Sequence, residues 1–266
     1  MLDNLAVLFS KGAFGDCARH AILHAMEDTR VRKIRVYATS MDMESLMEEA
    51  NWKCGCGGNH GAEMQALSSK YPQKLEMIPV SSVTDPKEME ATLFNQVSMV
   101  EGEITTAVIS GLGNRQIMLG DRVGKEGTKN VVTQMKKVGI TRLVAMSSVG
   151  IHEDYPSLEW RKEGTFLDGL FMTICIREYW DLCGLENEAK VPGINYLIVR
   201  PVGLGEEVKP AGKYFIQKQK GEDVLGANMA KSDVGLFLLE EALKPTYERK
   251  SVVIGADPAE AFEPFG

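Results

Sequence analysis

The sequence predicts an α/β fold, a doubly wound parallel sheet with helices on both faces, and three observations predict it. Short β-rich runs alternate with helical stretches along most of the chain. The strand runs are apolar at both parities, as strands are when helices cover both faces of a sheet. The turn after the first run is rich in glycine and opens a helix, which joins strand to helix tightly.

The elements follow in order. Leu5–Ser10 reads as a strand, Ala18–Met26 as a helix and Lys33–Thr39 as the second strand. Leu75–Val80 and Ala107–Ser110 are strands three and four, followed by a helix around Gly127–Val138 and a strand at Arg142–Ser147. This is the sequence form of βαβ units. A second set comprises a helix at Phe171–Asn187, a strand at Tyr196–Val199 ending in Arg200-Pro201, a helix at Ser232–Leu243 and a strand at Ser251–Ile254. Pro192-Gly193, Pro201 to Gly205 and Pro210 to Gly212 mark its loops. No shift in composition divides the chain, so residues 1–266 read as one Rossmann-type domain with an insertion at about 41–71. The insertion reads as a helix at Met43–Ala50, a glycine-rich loop at 51–61 and a second short helix.

Composition narrows the partners. Apolar residues make up 44% of the 266 and charged residues 25%, ordinary usage for a folded globular chain. The net charge of −7 argues against a nucleic acid, which needs a concentrated basic surface. No apolar run approaches the roughly 20 residues of a membrane span. A small molecule is the expected ligand. The five cysteines, Cys17, Cys54, Cys56, Cys175 and Cys183, have no disulfide-framework spacing. A reducing compartment is therefore expected: the cytoplasm, or an organelle matrix or stroma if a transit peptide has been removed.

The run Gly12-Ala13-Phe14-Gly15-Asp16-Cys17-Ala18 places small residues at the three positions of a GxxGxxG/A turn. Gly12 permits the tight turn, Gly15 lets backbone approach a pyrophosphate, and Ala18 lets the helix pack closely on the sheet. The helix N-terminus then offers N–H groups and a favourable dipole to the phosphates. On these grounds Gly15→Val is expected to abolish binding while the fold largely survives. The same residues also suit a βα turn with no ligand. A second glycine turn, Gly111-Leu112-Gly113, follows the buried run Thr106–Ser110, where an open α/β sheet presents its ligand crevice.

Taken with Glu126–Asn130, Lys137–Gly150 and Gly193–Pro201, these motifs resemble, in order and spacing, the atypical short-chain dehydrogenase/reductases. The resemblance is to their NAD(P)H-binding group, which includes NmrA-like proteins and the biliverdin reductase B/flavin reductase family. It covers about Leu5 to Ile254, leaving out Met41–Tyr71 and the last dozen residues. The family places the pyrophosphate on the first turn, which here is Gly12, Ala13, Phe14, Gly15, Asp16 and Cys17. Phe14 stands where a hydroxyl residue is usual. After the second strand, Thr39 and Ser40 replace the acid that would select NAD, so NADP(H) is implied, with NAD(H) as the alternative. Arg19 and Lys11 are either the cations for the 2′-phosphate or ordinary surface residues. Ser82 and Val83 would flank the adenine. Gly111, Leu112, Gly113 and Arg115 would flank the nicotinamide ribose, with Ser147, Pro201 and Val202 near the nicotinamide.

For catalysis the larger short-chain branch uses a Ser and a Tyr-x-x-x-Lys, the Lys lowering the phenol's pKa. Counting forward from Ser147-Ser148 reaches Trp160 and Arg161, and Tyr155 is followed four positions on by Glu159. The relay is absent. Hydride transfer to a flavin or linear tetrapyrrole needs chiefly orientation from the protein, and Ser148 is the candidate for that role. Gly203 stands where the biliverdin reductase B group has a His. The resemblance thus implies an NADPH-dependent reductase of a planar conjugated acceptor. Its rival is a non-catalytic NmrA-like dinucleotide sensor, or a cofactor-stabilised subunit of a larger assembly. Cys54, Cys56 and His60 fall short of the four donors of a closed zinc site, so no metal is assigned. Their loop, 51–61, is instead a candidate flap or contact surface for a protein partner.

Overall fold

The computed structural model describes residues 3–10, 12–39, 46, 60–94, 105–113, 122–151, 176–205, 210–217, 225–226 and 228–257. Strand β1 (Asp3–Phe9) leads into α1 (Ala13–Glu27) and β2 (Val31–Ala38). Next come α2 (His60–Lys70), β3 (Leu75–Pro79), α3 (Pro86–Thr92), β4 (Ala107–Gly111), α4 (Val123–Val138) and β5 (Arg142–Met146). The chain continues through α5 (Ile176–Ala189), β6 (Asn195–Pro201), β7 (Gly203–Gly205), β8 (Phe215–Ile216), β9 (Asn228–Ala230), α6 (Lys231–Leu243) and β10 (Lys250–Gly255).

Eight strands form one sheet in the order β3-β2-β1-β4-β5-β6-β10-β8. All neighbours are parallel except β10 and β8. The order is that of a doubly wound sheet: β1 pairs with β2 on one side and β4 on the other, so the winding reverses between β1 and β4. That reversal opens the crevice in which such sheets hold a ligand.

Side-chain alternation divides the interior into two layers. Leu5, Val7 and Phe9 of β1 and Val144 and Met146 of β5 lie on one face, packed with Ile22 and Met26 of α1 and Phe237 and Leu238 of α6. Ala6, Leu8, Leu143 and Ala145 lie on the other, packed with Met135 of α4 and Leu182 and Leu185 of α5. Because β1, β4 and β5 are central and covered on both sides, both parities are predominantly apolar. At the N-terminal end of the sheet, the Arg142 guanidinium on β5 donates to the Glu241 carbonyl at 2.8 and 3.1 Å and pairs with the Glu241 carboxylate at 3.1 Å. This pins α6 across the sheet.

The sequence expectations meet the structure closely for the main strands, and the differences have local causes. Helix α1 begins at Ala13 and α4 at Val123, earlier than the apolar periodicity suggests, because their first turns carry glycines and polar residues at the sheet edge. Helix α3 was not expected; Asp85 caps it by accepting the Lys87 N–H at 2.9 Å, and Pro86 opens it. The short strands β7, β8 and β9 also went unread, since two or three residues carry no periodicity. In the insertion, α2 is the expected second helix. The first, Met43–Ala50, lies outside the described residues apart from the buried Leu46. Among the described residues no helix is long and apolar enough to cross a membrane.

Candidate functional site

At the C-terminal end of β1 the backbone turns at Gly12, whose φ of 125° lies in the region that favours glycine. Helix α1 starts at the next residue, and no side chain caps its first turn. Its leading N–H groups therefore remain available to an anion, in a dipole field that attracts one.

The second glycine turn is bound to the first. The hydroxyl of Ser10 lies 3.1 Å from the Gly111 carbonyl and 3.3 Å from the Gly113 carbonyl as donor, and it accepts the Gly113 N–H at 3.1 Å. Backbone approach is close throughout. A Cβ on Gly111 would lie 2.6 Å from the Ala18 Cβ and 2.9 Å from the Phe14 carbonyl oxygen; one on Gly113 would lie 2.8 Å from the Phe14 ring. Phe14 is half-buried and packs against the margins of both core layers, above the sheet edge. It joins the two turns by carbon contact where a hydroxyl was expected from the resemblance.

Gly15 plays a different part from the one its spacing suggests. A Cβ there would stand 1.6 Å from the Ser10 carbonyl oxygen, so the residue is small because α1 presses on β1 itself. Gly15→Val would break the turn, and the expectation that the fold largely survives it does not hold.

The other candidates divide. Asp16 is buried and its carboxylate pairs with the Lys231 ammonium at 2.8 Å. Cys17 is buried in the α1 packing, and burial, with Asp16 nearby, pushes its thiol far up out of the reactive range. Arg19 is 1% exposed with its guanidinium 5.8 Å from the centre of the Phe9 ring, so it is not the surface cation of the simpler reading. Thr39 is half-buried just after β2, and Ala13 is exposed at the mouth. Ser82 bonds Thr84 through both Oγ1, at 2.9 Å, and N–H, at 3.2 Å. The Val83 carbonyl accepts from Asn130 Nδ2 at 3.0 Å, and Leu112 is buried where a Cβ on Gly127 would stand 2.7 Å from its Cδ1. Together these fasten this side of the crevice to α4. Pro201 and Val202 are buried, with the Val202 N–H on the Ile254 carbonyl at 2.9 Å. Lys11, Ser40, Arg115, Cys54, Cys56 and Tyr155 lie outside the described residues.

The two serines after β5 part company. Ser147 is fully buried: its Oγ donates to Glu186 at 2.7 Å and its N–H to the Val199 carbonyl at 2.8 Å. Its hydroxyl is engaged in the interior instead of standing beside a cofactor. Ser148 is half-buried at the sheet edge. Glu186 in turn holds Arg200 at 2.6 and 2.9 Å and Lys190 at 2.9 Å. Burial alone would raise its carboxyl, but hydrogen bonds and charge from Arg200, Ser147 and Lys190 outweigh burial and hold it low. On the same helix Tyr179 is followed four positions on by Cys183, a buried thiol, where a Tyr-x-x-x-Lys relay has its Lys.

Sequence reasoning missed Ser10, Lys231 and Glu186. Ser10 carried a signal, a hydroxyl closing a strand beside a glycine turn; the others are joined to the site only through contacts distant in sequence.

The assembled crevice fits a dinucleotide. It has an uncapped helix start, a positive-φ glycine ahead of it, and a facing turn whose glycines leave no room for a Cβ. Gly12 to Gly15 would hold a pyrophosphate, with Gly111 to Gly113 facing it.

Comparison with known proteins agrees. A family model described as NAD(P)H-binding matches residues 68–245. No curated protein matches the sequence. Among solved structures the chain is similar to a wide-type short-chain dehydrogenase/reductase of Veillonella parvula in complex with NADP, with a TM-score of 0.63 and 15% identity over 100% of both chains. It is likewise similar to an anaerobillin reductase of Escherichia coli O157:H7, at 0.63 and 17% over 98% of this chain and 100% of that one. A Rossmann-fold NAD(P)-binding family protein of Shigella flexneri matches at 0.57 and 17% over 100% of both. At such identities the likeness is one of fold.

Proposed function

The chain belongs to the NAD(P)H-binding family, with a nicotinamide dinucleotide as cofactor, and from that premise we propose that it is an NADPH-dependent reductase of a planar conjugated acceptor, a flavin or linear tetrapyrrole. The observation that carries the reading is the Ser10 bridge, which fixes the two glycine turns as one rigid cradle at the switch point of the sheet. A likeness in fold to the anaerobillin reductase of E. coli O157:H7 supports a tetrapyrrole among the acceptors.

Bound NADPH supplies a hydride. The chain's own part is placement. Backbone N–H groups from Ala13 onward would hold the pyrophosphate, and Phe14 covers Gly113 with carbon on that side of the cradle. Ser148 Oγ, at the edge of the sheet next to β6, donates one orienting hydrogen bond to the acceptor. Neither Tyr155, with Glu159 four positions on, nor Tyr179, with Cys183, carries the Lys of a Tyr-x-x-x-Lys relay, so the accompanying proton comes from solvent.

The Tyr179–Cys183 spacing favours one other reading, a dinucleotide sensor or cofactor-stabilised subunit that performs no turnover. Steady-state NADPH oxidation with FMN, riboflavin, biliverdin and quinones separates the two. Turnover of a flavin or tetrapyrrole is the expected result; tight NADPH binding with every acceptor inert would establish the sensor instead.

A further inference from the structure

Asp16 is the fourth residue of α1, with its N–H on the Gly12 carbonyl at 2.8 Å, so its carboxylate belongs to the turn that would carry the pyrophosphate. An anion on the leading N–H groups of that helix lies about one helical turn away, roughly 5–6 Å. A bare carboxylate at that range opposes a phosphate, and burial at 8% exposure leaves little water to screen it. The sequence therefore contains, at the centre of its anion site, a residue of the wrong sign. The structure supplies the compensation from the far end of the chain. Lys231, the first residue of α6, is 5% exposed and places its ammonium 2.8 Å from Asp16 Oδ2. The start of α6 is held against α1 independently: His24 Nε2 lies 3.1 Å from both the carbonyl and the hydroxyl of Ser232, and a Cβ on Gly235 would stand 2.6 Å from the His20 Cβ. The ammonium is thus delivered by two helices in fixed contact.

We propose that Lys231 is an electrostatic partner of the dinucleotide site, neutralising Asp16 so that the phosphates of NADPH meet a neutral first turn. The proposal rests on the dinucleotide reading above and adds to it a residue that touches no cofactor. It makes a prediction of sign. A pair that merely braces two helices would lose binding whichever partner is removed. A charge-balancing pair responds in opposite directions.

The test is a set of three variants, Asp16→Asn, Lys231→Met and the double substitution, titrated with NADPH by nicotinamide fluorescence and melted in parallel. Asp16→Asn removes a carboxylate from the first turn and keeps a hydrogen-bond acceptor for Lys231, so NADPH binding should tighten about threefold or more even as the melting temperature falls. Lys231→Met should weaken binding by about tenfold or more, and the double variant should return to within about threefold of wild type. Should Lys231→Met not fold, Asp16→Asn and the double variant still decide the sign. Weaker or unchanged binding in Asp16→Asn overturns the proposal while leaving the dinucleotide reading intact, provided that Ser10→Ala weakens NADPH. If wild type binds no NADPH, or binds it with an affinity that neither Ser10→Ala nor Asp16→Asn alters, the reading of the cradle fails and the proposal with it.

Discussion

Arg200 and Glu186 meet inside the molecule with guanidinium Nη2 2.6 Å from carboxylate Oε2, and Ser147 Oγ donates to the other carboxylate oxygen at 2.7 Å. The cluster ties the ends of β5 and β6 to α5 directly beneath Ser148. It is a buried charge pair with its remaining lone pairs occupied, the arrangement in which removing one partner costs most.

Glu186→Gln should therefore destabilise the fold by about 3–5 kcal/mol at neutral pH, because it removes the carboxylate paired with the buried Arg200 guanidinium. The effect has a pH signature. Glu186 titrates below its unfolded value, so its contribution is complete above the ordinary carboxylate range and lost as pH falls through the lowered pKa. Urea denaturation of wild type and variant should show a gap that narrows on acidification below about pH 4. A gap independent of pH would contradict the charge assignment.

Gly15→Ala should be nearly as damaging as Gly15→Val, since the first added carbon already meets the Ser10 carbonyl. A loss of about 3 kcal/mol or more, at the upper end of overpacking costs, is expected in chemical denaturation. A variant of wild-type stability would mean that the α1–β1 approach relaxes freely.

NADPH should bind more tightly than NADH. Thr39 follows β2 where an acid would repel a 2′-phosphate, and a hydroxyl there can donate to it. Fluorescence titration of both cofactors measures the ratio; equal affinities would remove Thr39 from the selection.

Ser148→Ala should slow acceptor reduction by about tenfold or less, the worth of one orienting hydrogen bond of about 1 kcal/mol. Tyr179→Phe should leave the rate within about twofold, because Cys183 stands four positions on where a Tyr-x-x-x-Lys relay has its Lys. A loss of several thousandfold in Tyr179→Phe would show a tyrosine acid at work.

Most of the sheet was legible because its strands are central and apolar on both parities, which leaves a pattern no other element imitates. The glycine turns were legible for a similar reason, since Gly12 and Gly15 stand where the backbone itself is the constraint. Polar partnerships were not legible. Ser147 and Ser148 are adjacent and identical in type, yet one is sealed against Glu186 and the other is half-buried, a distinction that residue type alone does not carry. Gly15 was placed correctly in the turn but for a different reason, because sequence spacing does not reveal whether a ligand or the chain's own carbonyl occupies the missing side-chain volume.

The bridge between the glycine turns spans 103 residues, and the Asp16–Lys231 pair spans 215. During synthesis, then, the N-terminal glycine turn leaves the ribosome long before the parts that complete it. Contacts so remote in sequence are closed late, after the entropy of large loops has been overcome. A chain arrested before α6 would hold both glycine turns and lack the Lys231 ammonium that pairs with Asp16.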